Sequence, residues 1–118
     1  MIALNSRLTF YLCDVAVDFR KGVEGLSGIV REYLGRNPVD GCAYVFMNAH
    51  RNRIKILLWE GDRFSMYYKR LERGTFDHPI VTKDGEEYQI CWDHLLMILK
   101  GIRWDKIERK NRYKIQRT

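Results

Sequence analysis

The stretch that decides the fold is RIKILLWEGDRFSMYYK, which occupies residues 53–69. It holds two runs, 53–59 and 63–69, in which apolar side chains alternate with polar or amphipathic ones. Such alternation is typical of β-strands, because successive side chains point to opposite faces of a sheet. The Glu-Gly-Asp at 60–62 is a turn signal between them. The stretch therefore predicts an antiparallel hairpin.

The sequence on either side of this hairpin predicts further strands and two helices. An apolar run at 42–47 extends the hairpin to a three-stranded meander, and shorter strands are expected at 8–13, 75–81 and 87–90. Helical spacing of apolar residues appears after Asp18 and again at 92–100. We expect an α+β fold, in which a small curved antiparallel sheet, a meander of about four to five strands, packs with two helices.

Length and charge predict one domain with a basic tail. A chain of 118 residues fits a single domain, expected at 1–104, with the tail at 105–118. The net charge is +6, and residues 103–118 carry seven Lys/Arg against two acidic residues, or +5. A basic tail on a nearly neutral body favours polyanion binding, although a solvated terminus has the same composition. No secretory signal or long apolar run is present, so we expect a cytoplasmic protein without a membrane partner.

Catalytic chemistry finds little support in the sequence. The histidines His50, His78 and His94 stand alone, no C-x-x-C occurs, and no phosphate-binding glycine loop is present. We therefore expect no catalytic residue, no metal and no cofactor. One alternative is a small metal-dependent nuclease that uses Asp14 and Asp18 as paired carboxylates. Asp18 is more simply interpreted as the N-cap of the first helix.

The hairpin's polar face is the strongest candidate for a binding surface. If the two strands are phased as their alternation suggests, Arg53 and Lys55 lie beside Arg63, Tyr67 and Lys69. Lysine and arginine neutralise phosphates, and an aromatic ring near the patch, such as Trp59, offers a stacking surface. The alternative interpretation is the ordinary solvated face of a one-sided antiparallel sheet.

Several segments taken together resemble a known family. They are DFRKG at 18–22, YVFMN at 44–48, RIKILLW at 53–59 and YKRLERGTF at 68–76. In order and spacing, roughly residues 1–104 resemble the accessory protein TnpB of IS-sixty-six-type insertion sequences. The resemblance implies a role in transposition and DNA recombination beside a separate, larger transposase, and it implies no catalytic activity for this chain.

The segments that carry the resemblance contain six basic residues, which coincide with the predicted face: Arg20, Lys21, Arg53, Lys55, Lys69 and Arg70. We therefore expect DNA and the element-encoded transposase as partners, while the sequence predicts no oligomeric state. The alternative is a protein–protein adaptor for the transposase that makes no contact with nucleic acid. The residues expected to bind nucleic acid are Arg20, Lys21, Arg51, Arg53, Lys55, Trp59, Arg63, Tyr67, Lys69, Arg70, Arg73, Arg109, Lys110 and Arg112.

Overall fold

The computed structural model describes residues 4–102, so the predicted tail at 105–118 lies outside the described residues. Within this range the chain forms two helices and six strands. In chain order they are β1 (Phe10–Leu12), α1 (Val23–Glu32), β2 (Ala43–Met47), β3 (Arg53–Trp59), β4 (Phe64–Arg70), β5 (Thr82–Asp84), β6 (Glu87–Ile90) and α2 (Trp92–Leu99).

The strands form one open sheet in the order β4-β3-β2-β1-β6-β5. The α+β prediction is confirmed, and β2, β3 and β4 form the predicted meander. The sheet is nevertheless mixed and six-stranded, because β1 pairs with β2 in parallel. Helix α1 connects these two strands and returns the chain to the end of the sheet at which β1 starts. A parallel pair requires a connection of this kind.

The strand predicted at 75–81 is wrong. The backbone there is irregular apart from one isolated bridge at Ile80, and β5 begins only at Thr82. Pro79 has no N–H to donate to a ladder, which disfavours a regular strand. The apolar pattern reflects packing instead, since Phe76 and Val81 are buried in the core.

The predicted N-cap of the first helix is also wrong. Helix α1 begins at Val23 with Gly22 as its N-cap. Asp18 lies upstream in a tight turn, where its carboxylate accepts the Arg20 N–H at 2.9 Å and binds the Arg20 guanidinium at 2.6 Å. This salt bridge occupies the carboxylate that was expected to cap the helix.

The two helices cover opposite faces of the sheet. On the α2 side, Ile54 and Ile56 of β3 belong to the same buried cluster as Leu95 and Ile98 of α2. On the α1 side, Phe46 and Leu57 pack with residues of α1, namely Leu26 and Val30. Strand β3 is therefore buried on both faces, and the interpretation as a one-sided sheet is wrong for the centre of this sheet.

Candidate nucleic-acid interface

The pairing of β3 with β4 decides which charged side chains share a surface. Arg53 pairs with Arg70, and Lys55 pairs with Tyr68. Directly paired residues lie on the same face, so the predicted phase, with Lys55 beside Tyr67 and Lys69, is wrong by one residue. A slip of one residue moves every side chain of β4 to the other face of the sheet.

The cause of the slip is the length of the turn. Glu60 N donates to Arg63 O at 2.8 Å, so Gly61 and Asp62 alone form the loop between paired residues. The prediction treated all of 60–62 as loop, which changes the register by one. A Gly-Asp pair between two strands is a known signal for a two-residue hairpin loop, so the sequence did contain the information needed.

Tyr67 and Lys69 consequently lie on the α2 side. Tyr67 packs against the α2-side cluster, and Lys69 Nζ donates to Leu99 O at 2.6 Å. Leu99 is the last residue of α2, where a cation is favourable because carbonyl groups there lack partners within the helix. Both side chains have a structural explanation that does not involve a ligand.

Lys55 ties the segment before α1 to the sheet. Its Nζ donates to Phe19 O and to Lys21 O, each at 3.0 Å. The same ammonium lies 5.1 Å from the centroid of the Phe19 ring and 5.6 Å from that of Tyr68, within cation–π range. These contacts hold the exposed Lys21 on the α1 side of the hairpin. We call the basic residues on this side the α1-side basic cluster: Lys21, Arg53, Lys55 and Arg70.

Arg53 and Arg70 face each other at close range. Leu71 N donates to Asn52 O at 2.8 Å, so the neighbouring pair is a hydrogen-bonded one. Hydrogen-bonded and non-hydrogen-bonded pairs alternate along an antiparallel ladder, and side chains approach more closely at the second kind. Arg53 and Arg70 occupy the second kind, where like charges directly opposite each other are destabilising.

No carboxylate lies between these two arginines in the described part of the chain. The Nε of Arg53 is buried and has no hydrogen-bond partner there. Arg70 reaches only Glu72, at 3.6 Å, and both of those side chains are more than half exposed. Exposed pairs of this kind contribute little, and a buried N–H without an acceptor is unfavourable. The site therefore has donors and positive charge in excess of its acceptors.

The first turn of α1 contributes free backbone donors to this side of the hairpin, together with the carboxylate of Glu24. Gly22 has no side chain to cap the helix, and no side-chain hydrogen bond caps this end. The N–H groups of a first turn have no partner within the helix and carry the positive end of its dipole. Since Lys55 binds Lys21 O, this end of α1 lies on the same side of the hairpin as the cluster.

A contrasting arginine occurs in the loop after α1. Arg36 Nε donates to the Tyr44 hydroxyl at 3.0 Å, and the rest of its guanidinium binds Asp40 at 3.0 Å and Glu87 at 2.5 Å. Burial alone would lower the pKa of Arg36, but its hydrogen bonds to Tyr44 and Glu87 outweigh burial and raise that pKa. Its guanidinium also stacks over the Tyr11 ring, 4.0 Å from the centroid.

Three other predicted cations have partners within the protein. Arg20 binds Asp18, and Arg63 lies outside β4 and binds the adjacent Asp62 at 2.6 Å. Arg51 is half-buried in the turn between β2 and β3, where its guanidinium donates to Phe76 O. These residues lie near the cluster in sequence but hold turns and loops in place.

The remaining predicted residues have diverse positions. Trp59 ends β3 and packs edge-on against Phe64, with ring centroids 4.9 Å apart. Arg73 is exposed in the turn that follows β4. The aromatic residue that sequence reasoning missed is Tyr68, which lies beside Lys55 and is 49% exposed. The tail positions Arg109, Lys110 and Arg112 lie outside the described residues.

The carboxylates considered for a metal site are used elsewhere. Asp14 accepts a hydrogen bond from the Tyr33 hydroxyl at 2.9 Å. The hydrogen bonds from Arg20 lower the pKa of Asp18 to about 2. Residues 4–102 contain no group of three or more His, Cys, Asp or Glu side chains that could hold a metal ion.

Neither of the helices described is long and apolar enough to cross a bilayer.

Comparison with known proteins identifies the family. The model of the family described as IS66 Orf2 like protein matches residues 8–109, which confirms the resemblance to the IS-sixty-six-type accessory proteins. Two proteins of Sinorhizobium fredii (strain NBRC 101917 / NGR234), both described as uncharacterized, are similar along nearly their whole length. Protein y4jC is 30% identical over 93% of this chain and 92% of its own, and y4hO is 29% identical over 88% and 89%. No solved structure matches. The chain thus belongs to the IS66 Orf2-like family and has a transposition-associated accessory role.

Proposed function

We propose that this accessory protein is non-catalytic and binds duplex DNA through the α1-side basic cluster. The observation that carries the proposal is the Arg53–Arg70 pair, in which two arginines are directly paired across β3 and β4 and the buried Nε of Arg53 has no acceptor among the described residues. A phosphate group between the two arginines would accept their hydrogen bonds and remove their mutual repulsion.

The surroundings of this pair fit a nucleic-acid backbone. Lys21 is exposed on the same side, the uncapped start of α1 adds partial positive charge, and Tyr68 offers a half-exposed ring. Affinity from such contacts comes mainly from phosphates, so binding should weaken steeply with salt. We expect little sequence preference, because no motif that reads base edges was found in the sequence.

The hairpin offers both the arginines to be tested for DNA binding and an arginine that serves as their control. Arg53 and Arg70 have no carboxylate shared between them, whereas Arg63 at the opposite end of β4 is exposed and ion-paired with Asp62. Replacing each with glutamine removes charge and keeps a polar side chain. Comparison of Arg53→Gln/Arg70→Gln with Arg63→Gln therefore separates the cluster from positive charge in general.

The experiment measures fluorescence anisotropy of labelled duplexes with the full chain across a salt series. The duplexes carry either the end sequence of an IS66-type element or a scrambled sequence. In Arg53→Gln/Arg70→Gln we expect the slope of log K against log salt to fall by about 2, since each phosphate contact contributes about 0.9. Affinity should fall on the order of a hundredfold, since two charged hydrogen bonds are lost and each costs about 1.5 kcal/mol. In Arg63→Gln the affinity should stay within about twofold of wild type, because exposed ion-paired charges contribute little.

Two results would contradict the proposal. One is unchanged affinity and salt slope in the double variant, and the other is no binding of wild type to any duplex at low salt. The second result would favour the alternative accessory role, an adaptor that binds the transposase and makes no contact with DNA.

A further inference from the structure

Strand β4 is an open edge of the sheet. It is seven residues long and pairs with β3 on one side, while no strand among the described residues pairs with its other side. Proteins usually protect such edges with proline, bulges, charged side chains or very short strands, because free backbone groups there pair with other chains; the charged residues of β4, Lys69 and Arg70, lie at one end only. β4 contains no proline, and its register with β3 is continuous over all seven residues. The other edge strand, β5, has only three residues.

The free backbone groups of β4 can be assigned from its pairing. Leu71 N donates to Asn52 O and Glu60 N donates to Arg63 O, so the odd-numbered residues of this segment direct their backbone groups toward β3. Alternate residues of a strand direct them the opposite way. The residues whose N–H and C=O groups point away from the sheet are therefore Phe64, Met66, Tyr68 and Arg70.

We propose that a second copy of this chain docks on this edge, with the two β4 strands antiparallel about a two-fold axis through Tyr67. In this register all the outward-pointing residues of one copy meet outward-pointing residues of the other. Phe64 pairs with Arg70 of the partner subunit, and Met66 pairs with Tyr68 of the partner subunit. Centring the axis on any other residue leaves part of the seven-residue strand unpaired.

The charges along β4 are complementary in this antiparallel arrangement. The turn before the strand (60–63) carries two acidic residues and one basic residue, a net of −1, and residues 69–73 carry three basic and one acidic, a net of +2. The two-fold axis brings each negative end against a positive end. A parallel pairing would instead place the two positive ends side by side.

The side chains of the facing pairs also match. Arg70 would lie beside an aromatic ring, Phe64, and the thioether of Met66 would lie beside Tyr68, both favourable contacts. Tyr68 is one of five large hydrophobic side chains that are exposed within residues 4–102, at 49%. The pairing would cover part of this ring and join two sheets into one.

The docking would place both α1-side basic clusters on the same face of the joined sheet. Arg70 of the two subunits would lie about 20 Å apart along the strands, since six residues separate each Arg70 from the position opposite it. The proposed dimer itself rests on the β4 edge alone. Dimerisation is tested without DNA and through the backbone of Met66, so its failure is distinguishable from a failure of DNA binding.

The first experiment is sedimentation equilibrium of the full chain over a range of concentrations, without DNA. We expect the mass to rise to twice that of the monomer. Met66→Pro should remove this association, because it deletes an outward N–H and leaves the bonds to β3 intact. Met66→Ala keeps the N–H and is the matched control that should still associate. A mass that stays monomeric at all concentrations, or association that persists in a folded Met66→Pro variant, would overturn the proposal.

A second experiment does not depend on how Met66→Pro folds. At the two-fold axis Tyr67 would meet its own copy at a non-hydrogen-bonded position, where the Cα atoms are about 4.5 Å apart and a disulfide fits. In a Cys91→Ser background, which removes the exposed native thiol, mild oxidation should cross-link Tyr67→Cys. Ser65→Cys lies on the same face but would meet residue 69, so it should not cross-link. Absence of cross-linking in Tyr67→Cys, or equal cross-linking in both, would refute the register.

Discussion

Arg36 and the Arg53–Arg70 pair show two ways of placing a guanidinium in this fold. Arg36 binds two carboxylates and a tyrosine hydroxyl, so its charge and its donors are satisfied within the molecule. Arg53 faces another arginine, and its buried Nε has no acceptor among residues 4–102. The difference indicates that Arg36 stabilises the fold, whereas the proposed function assigns Arg53 and Arg70 to an external anion.

The largest expected effect is a loss of stability when Arg36 is replaced. Arg36→Met leaves Asp40 and Glu87 partly buried without their cation, which should lower the free energy of unfolding by about 2 kcal/mol. Urea denaturation followed by circular dichroism measures it. DNA affinity below the unfolding transition should stay within about twofold of wild type, since Arg36 is partly buried and its charge is already neutralised by Asp40 and Glu87. A stable Arg36→Met variant that has lost DNA binding would reverse the assigned roles.

Acid unfolding tests the contribution of the same network, through the carboxyl group of Asp40. Burial raises the pKa of Asp40, but hydrogen bonds from Cys42 N, Tyr44 and Arg36 outweigh it and leave the pKa below its usual value. A carboxyl whose folded pKa is depressed stabilises the fold above its unfolded pKa, about 3.9, and this is lost as pH falls. Arg36→Met removes part of the depression, so its acid midpoint should move to higher pH than in wild type. Equal midpoints in pH titrations of circular dichroism would contradict the role of this network.

A smaller effect on stability is expected for the Arg53–Arg70 pair. Arg53→Gln/Arg70→Gln removes a like-charge pair, so stability in a chloride buffer should stay equal or rise by up to about 0.5 kcal/mol. Added inorganic phosphate should raise the Tm of wild type more than that of the variant, since a bound anion stabilises the folded state. Differential scanning fluorimetry measures both. A strongly destabilised double variant would mean that these arginines are structural.

The smallest expected effect concerns Arg20, which lies next to the cluster in sequence but is neutralised by Asp18. Asp18→Asn keeps an acceptor for the Arg20 N–H and frees the guanidinium, so DNA affinity should rise about two- to threefold through one added positive charge. Because the pKa of Asp18 is about 2, the carboxylate is fully charged from pH 5 to pH 8. The gain measured by anisotropy should therefore be the same across that range, and a loss of affinity would contradict the prediction.

The sequence predicted most of the fold because the spacing of apolar residues shows which side chains of a strand or helix are buried. The alternation at 53–59 and the helical spacing of apolar residues identified β3, α1 and α2 as elements. The strand predicted at 75–81 was wrong because Phe76 and Val81 are buried although their backbone is irregular. Burial alone does not distinguish a strand from an irregular segment. The parallel pairing of β1 with β2 depends on where α1 returns the chain, which local pattern does not reveal.

The candidate site was more sensitive to small errors than the fold. One residue of turn length decided whether Lys55 shares a face with Lys69 or with Arg70. Charge in the sequence also gave no account of internal partners, such as the Leu99 carbonyl that binds Lys69 or the Asp62 that binds Arg63. The Leu99 partner becomes visible only when distant parts of the chain are placed together, whereas Asp62 lies next to Arg63 in the sequence.

The central claim is that DNA meets the α1 side of the hairpin and not the α2 side. The most direct measurement is a titration of ¹⁵N-labelled protein with a short duplex, followed through backbone amide signals. We predict shifts for Lys21 to Gly25, Arg53, Tyr68 and Arg70, and unchanged signals for Leu95 to Leu99 in α2. Shifts concentrated in α2 and the Lys69 contact, or no shifts at low salt, would contradict the account.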